Sequence, residues 1–215
     1  YALRIYALRI YALRIYALRT METLSNLDTQ FFLFLNGLHA DWLDTVMIYI
    51  TNMLIWLPLY LLLIYWVIKQ YGKRSWWIFV ALGVVVLCSD QISASIFKPL
   101  FHRLRPCYTP ELEGLIHLPK GLAGGKLSFV SSHAANTFAI ATFLTAAMRQ
   151  NKKWIGWILF PWALISSYSR IYLGFHYPGD IICGAILGIL IGWLIWKLFG
   201  VVQQRIESRK NSKVQ

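Results

Sequence analysis

Charged residues are scarce in this chain. Asp, Glu, Lys and Arg make up 14% of its 215 residues, against about 25% in soluble domains, and 58% are apolar, against roughly 45–50%. That shortage excludes an ordinary soluble domain and points to a chain whose solvent is the bilayer. Cysteine is scarce too. Cys88, Cys107 and Cys183 follow no metal-binding or redox spacing, and two of them fall in apolar stretches, so they read as free, buried thiols. No cage of metal ligands stands out, and no cofactor is expected. Acidic residues are outnumbered, leaving a net charge of +12. The basic residues form no single stripe and the aromatics lie inside apolar runs, so nucleic acid is not the expected partner. The charge reads as membrane topology instead.

The first twenty residues repeat YALRI three times and then YALRT, a period of five that matches neither a helix nor a strand. An arginine every fifth residue leaves no apolar core for a signal peptide. Residues 1–20 are expected to be an appended or engineered segment, with Met21 as the natural start. Residues 21–200 form the expected membrane domain, and 201–215 a basic cytoplasmic tail.

Val46 to Ile68 runs 23 residues without a formal charge, enough to cross a hydrocarbon core of about 30 Å as a helix. Pro58 is expected to kink it. Further spans are expected at Ser75–Phe97, at about Leu127–Met148, at Trp154–Ser169 and at Ile181 to about Phe199. Ahead of them, residues 27–44 read as an interfacial helix lying along the membrane. The expected fold class is therefore all-α: a polytopic membrane bundle of about five transmembrane helices plus one interfacial helix.

Eleven basic residues fall on one face, in the turns at 69–74 and 149–153 and in the tail from 197 onward; six fall on the other: Lys98, Arg103, Arg105, Lys120, Lys126 and Arg170. The richer face is expected to be cytoplasmic. The other face gathers three polar stretches, "KPLFHRLRP" from Lys98, "SFVSSHAANTF" around His133 and "SRIYLGFHYPGD" from Ser169. With spans in up-and-down order these stretches meet on one side of the membrane. Ionisable groups gathered beside spans suggest a functional site.

Lys98, Arg105 and Arg170 suit the non-bridging oxygens of a phosphoryl group. A neutral imidazole attacks phosphorus when its other nitrogen donates to a carboxylate, and His176 with Asp180 four residues on supplies that pair. His133 is left to protonate the leaving oxygen and later to activate water. The backbone N–H groups of Ser131 and Ser132, at a helix start, are candidates to hold the oxyanion.

Lys98 with six residues before Arg105-Pro106, then Ser-x-His, then Ser169-Arg170 with five residues before His176 and three before Asp180, resembles the tripartite signature of the PAP2 superfamily, the type 2 phosphatidic acid phosphatases. The first and third elements match in full. The second is usually Pro-Ser-Gly-His and here reads Val130-Ser131-Ser132-His133. The resemblance implies a metal-independent lipid phosphatase with a core of about six helices, His176 as nucleophile and His133 as acid, in the bacterial inner membrane with its site facing the periplasm or exterior. The implied partners are the bilayer and a lipid phosphate or diphosphate such as undecaprenyl diphosphate, phosphatidylglycerol phosphate, phosphatidate or lipid A 1-phosphate. A lipid phosphotransferase using the same site, or a non-catalytic lipid-binding protein, are the alternative functions. Plainer readings stand beside these. Asp180 is also a good cap for the last helix, and Arg103, Lys120, Lys126 and His102 read as headgroup anchors. His39 and His117 read as surface residues. Asp90 either orders the cation cluster or makes a packing hydrogen bond.

Overall fold

The computed structural model describes residues 2–119, 124–149 and 152–212. Among these, the α-helices are α1 (Ala2–Gly37), α2 (Asp41–Thr51), α3 (Leu57–Tyr71), α4 (Ser75–Gln91), α5 (Lys98–Phe101), α6 (Ser132–Met148), α7 (Gly156–Tyr172) and α8 (Pro178–Asn211). No strand forms among them, only an isolated antiparallel bridge between Leu104 and Leu127. The fold is the all-helical bundle expected from composition.

Helices occupy all five stretches expected to span, but the first begins later than its charge-free run. The Asn52 side chain accepts the Leu54 N–H at 2.9 Å, closing α2 and opening a 3-10 turn over Met53–Trp56. A short polar side chain that competes for backbone groups explains the break. Pro58, expected to kink a helix, sits in the first turn of α3, where its missing N–H is harmless. Residues 53–101 form a helical stretch of 49 residues, apolar enough to cross a membrane. Straight, it would run about 73 Å, more than twice the hydrocarbon thickness of about 30 Å. Gly72, at a φ of +54° that favours glycine, ends α3 and turns the chain back. Pro178–Ile206 is the other described stretch long and apolar enough to span.

Residues 27–44, expected as one interfacial helix, are two helices broken at 38–40 and docked into the bundle. Phe32 and Asn36 are 0% and 1% exposed. The Asn36 amide donates to the Tyr172 carbonyl, and its oxygen accepts the His117 N–H, both at 2.7 Å. A buried amide with its partners satisfied fixes α1 against the end of α7.

The centre of the bundle is α6, packed by α4, α7 and α8. Its buried face is largely alanine: Ala134, Ala135, Ala139, Ala141 and Ala147. Opposite it, α8 presents Gly184, Gly188 and Gly192, spaced by four. A Cβ on Gly184 would stand 2.6 Å from the Ser131 carbonyl oxygen and one on Gly192 2.5 Å from that of Ala139; one on Gly188 would strike the Ala135 carbonyl. Small residues at this spacing let two helix backbones approach closely where lipid supplies no hydrophobic drive. The contact sets the first turns of α6 and α8 side by side, and both carry candidate site residues.

Candidate active site

The spacing of the third motif follows from a chain reversal. Gly174, at φ +72°, ends α7, and the N–H groups of Phe175 and His176 then both donate to the Arg170 carbonyl, at 2.9 and 3.2 Å. His176 is thereby brought back over the arginine, and Pro178 opens α8 two residues later. His176 is 2% exposed and Asp180 0%. Their closest approach is Nδ1 to a carboxylate oxygen at 3.5 Å, with the Ser128 hydroxyl between them, 3.3 Å from Nδ1 and donating to the same Asp180 oxygen. That oxygen also accepts the Tyr177 N–H at 2.9 Å, so Asp180 does cap α8. Capping and pairing with His176 are done by one carboxylate at once. Burial pushes the His176 imidazole down to about 4, against the upward pull of Asp180. At neutral pH it is the free base, with Nε2 turned away from the carboxylate.

A short two-bond ladder places the first motif beside the second. Ser128 N–H donates to the Arg103 carbonyl at 2.8 Å, and Arg105 N–H to that of Lys126 at 3.0 Å. The Arg105 guanidinium lies 5.5 Å from the Phe175 ring and that of Arg170 4.3 Å from it. Arg105 is anchored through Nε to the Leu127 carbonyl at 3.2 Å, and Arg170 through Nη1 to Thr51 at 2.8 Å. Lys98 follows a six-residue π-helical stretch, Ile92–Phe97, that carries α4 into α5. Arg105 Nη1 and Arg170 Nε are buried without a hydrogen-bond partner among the described residues.

His133 lies in the first turn of α6, its Nε2 2.8 Å from the Ser166 hydroxyl of α7. Ser131 departs from its expected place. Its N–H, expected to face the phosphate, donates to the Asp180 carbonyl at 3.1 Å, and its hydroxyl caps α6 through the Ala134 N–H. The close α6–α8 contact draws Ser131 into holding the two helix starts together. The Ser132 hydroxyl accepts from Ser93 at 2.9 Å.

Arg103, expected as a headgroup anchor, instead bonds Asp180 at 3.0 Å and Asp28 of α1 at 2.7 Å. His117, expected at the surface, bonds Asp44 at 2.8 Å and stacks on His39 at 3.9 Å. Lys120 lies outside the described residues. Asp90 stands at one end of a largely apolar cleft of about 640 Å³ between α3, α4 and α6, lined also by Tyr60, Gly83 and Ile140. Sequence reasoning passed over Asp28, Ser128 and Ser166. The Arg-x-Arg at 103–105 and the glycines at 184, 188 and 192 were visible signals; a lone Asp28 in a helix was not.

The model of the PAP2 superfamily matches residues 75–203. The chain belongs to the PAP2 superfamily. Among its PAP2 relatives, a lipid A 4'-phosphatase of Bacteroides thetaiotaomicron is 38% identical over 191 residues, 87% of this chain and 84% of that one. The lipid A 4'-phosphatase of Porphyromonas gingivalis is 31% identical, covering 86% of this chain and 78% of that one. Aquifex aeolicus LpxE superposes with a TM-score of 0.59 at 27% identity, over 80% of this chain and 95% of that one. A phosphatidylglycerolphosphate phosphatase of Bacillus subtilis shares the fold, with a TM-score of 0.62 at 21% identity over 82% of this chain and 86% of that one. This PAP2 protein is a membrane lipid phosphate phosphatase. Its α1 to α3, with Asp28, precede the matched PAP2 region.

Proposed function

We propose that the protein removes the 4'-phosphate of lipid A through a phosphohistidine on His176. The observation that carries the reading is the pair of buried guanidinium nitrogens of Arg105 and Arg170 that have no partner among the described residues, both guanidiniums lying within 5.5 Å of the ring of Phe175 beside His176. A buried donor left unpaired costs about 1–3 kcal/mol, a cost an anionic ligand removes. With Lys98 these groups would take the three non-bridging oxygens. His176 Nε2 attacks phosphorus, the bond to the sugar oxygen breaks, and His133, which takes up a proton as the anionic phosphate binds, gives that oxygen the proton from the ring nitrogen that Ser166 leaves free and is left as neutral imidazole. Water, deprotonated by His133, then cleaves the P–N bond and returns His176 to its free base. Asp180 holds the imidazole by its Nδ1 side throughout. No step calls for a metal. The choice of substrate is supported by the two relatives named for it. The test is phosphate release in detergent with EDTA present, from lipid A bearing both phosphates, undecaprenyl diphosphate and phosphatidylglycerol phosphate. Lipid A should be preferred and should lose only its 4'-phosphate; loss of the 1-phosphate, or dependence on added Mg²⁺, would overturn the reading.

The acyl chains would lie in the cleft between α3, α4 and α6. Its Asp90 end is one turn from Ser93, which bonds Ser132 beside His133. Nothing lies within 4 Å of where a Gly83 Cβ would stand, so Gly83→Phe fills the cleft without disturbing packing. It should raise KM for long-chain lipid roughly tenfold, about 1.4 kcal/mol, less than two methylenes of burial at ~0.8 kcal/mol each. A water-soluble short-chain phosphate should turn over unchanged. The site would face the periplasm. In a variant without the native cysteines, a cysteine replacing Glu113 should then react with an impermeant thiol reagent on whole cells, and one replacing Lys152 should not.

A further inference from the structure

Three arginines approach the site, but they are held in two different ways. Arg105 and Arg170 each keep a buried nitrogen without a partner among the described residues. Arg103 has one carboxylate on each terminal nitrogen: Nη1 meets Asp180 at 3.0 Å and Nη2 meets Asp28 at 2.7 Å. Its plane lies over the Tyr177 ring at 3.8 Å. Tyr177 is itself held, its hydroxyl 3.0 Å from Thr109 and its ring 5.4 Å from Phe32 of α1. A guanidinium forked between two carboxylates and stacked on a fixed ring is not free to follow a phosphate.

We propose that Arg103, braced by Asp28, is a positioning residue that holds Asp180 in place for His176. The inference rests on the reading of His176 and Asp180 as the nucleophile pair. Asp180 is 0% exposed, and a buried carboxylate facing a neutral imidazole has no counter-charge from it. Among the described residues, Arg103 is the cation hydrogen-bonded to Asp180, and it takes the oxygen opposite the one that faces Ser128 and His176. The carboxylate is thereby charged and oriented before the reaction, so no group has to reorganise as positive charge develops on the imidazole.

Asp28 completes the brace. Its second oxygen accepts the Gly179 N–H at 2.7 Å, a donor in the first turn of α8 one residue before Asp180. A Cβ at Gly179 would stand 2.8 Å from the Asp28 carboxylate, so only glycine admits that approach. One side chain of α1 thus grips both the helix end that carries Asp180 and the arginine that orients it. The most N-terminal helix, ahead of the region matched by the family, becomes part of the catalytic apparatus.

The test is a cycle of Arg103→Gln and Asp180→Asn, with Asp28→Asn beside it, read as kcat and KM on lipid A in detergent micelles. Arg103→Gln should lower kcat on the order of 10- to 100-fold, the range carried by outer-shell hydrogen-bond partners at metal sites, and leave KM within about twofold. In the Asp180→Asn background the same substitution should cost less than about twofold, since the group it acts through is gone. Asp28→Asn should show a smaller loss with the same non-additivity. If Arg103→Gln fails to fold, Arg103→Lys carries the cycle. It keeps the cation but cannot fork between two carboxylates, and should recover part of the rate. An equal fold-loss in both backgrounds would assign Arg103 to general stability and overturn the proposal, and a rise in KM at constant kcat would return it to headgroup binding. Retention of activity in Asp180→Asn alone would instead remove the nucleophile reading.

Discussion

Replacing His176 with alanine should abolish phosphate release, and wild-type protein quenched during turnover should carry acid-labile phosphate that the variant lacks. The expectation rests on the imidazole being 2% exposed, uncharged at neutral pH and fixed on its Nδ1 side by Ser128 and Asp180. Phosphate transfer directly to water would leave the variant active at a comparable rate, which would end the assignment. Stability carries a second readout. Burial first, and then the nearby arginines, hold the folded imidazole near 4 against 6.5 for the free group, the pull of Asp180 notwithstanding. The unfolded chain therefore takes up the proton first as pH falls. Wild type should lose stability progressively between about pH 6.5 and 4, and His176→Ala should lack that loss, seen as converging melting temperatures in acid.

Asp180→Asn should keep substrate binding but cost about 10⁴ in rate, the loss seen when the triad aspartate of a serine protease becomes an amide and the histidine takes the wrong tautomer. The geometry adds a second cost. One Asp180 oxygen accepts from Ser128 and the Tyr177 N–H, and the other accepts from Arg103. An amide offers a single oxygen, so its NH₂ must face a donor on one side. That mismatch should destabilise the fold by about 1–3 kcal/mol, measured as a lower midpoint of thermal unfolding in detergent. A variant that folds poorly but whose folded fraction is fully active would show that Asp180 only caps α8. Loss of rate in well-folded protein identifies the tautomer role.

The three polar stretches could be read as one site because their residues are costly beside a bilayer and because helix order forces their ends together. What that reading left out are groups whose chemistry is ordinary until a neighbour is known. Ser128 and Ser166 look like any serine in a helix mouth or an apolar helix, and neither carries a spacing to the histidine it touches. Arg103 and Arg105 are two positions apart on either side of the bridge at Leu104–Leu127, yet the one meets two carboxylates and the other keeps a nitrogen without a partner among the described residues. The expected role of the Ser131 N–H failed for a similar reason. A helix start offers free N–H groups in isolation, but α8 packs so closely on α6 that one of them is taken by the Asp180 carbonyl.

By itself the sequence determined the solvent of this protein, its all-helical class and the three polar stretches that the fold gathers at one end of the bundle. Apolar runs of that length have no other stable fate in lipid than helices that satisfy their own backbone, and the motif spacings are local properties of turns such as 170–180. Only the tertiary structure decided how those residues are held. The close approach of α6 and α8 through Gly184, Gly188 and Gly192 and the docking of α1 through Asn36 and Asp28 join residues up to 151 positions apart. Contacts of that separation depend on which helices pack together: the glycine spacing marks a face of α8 that admits a close neighbour, but it does not name α6 as that neighbour or α1 as the helix that reaches Gly179.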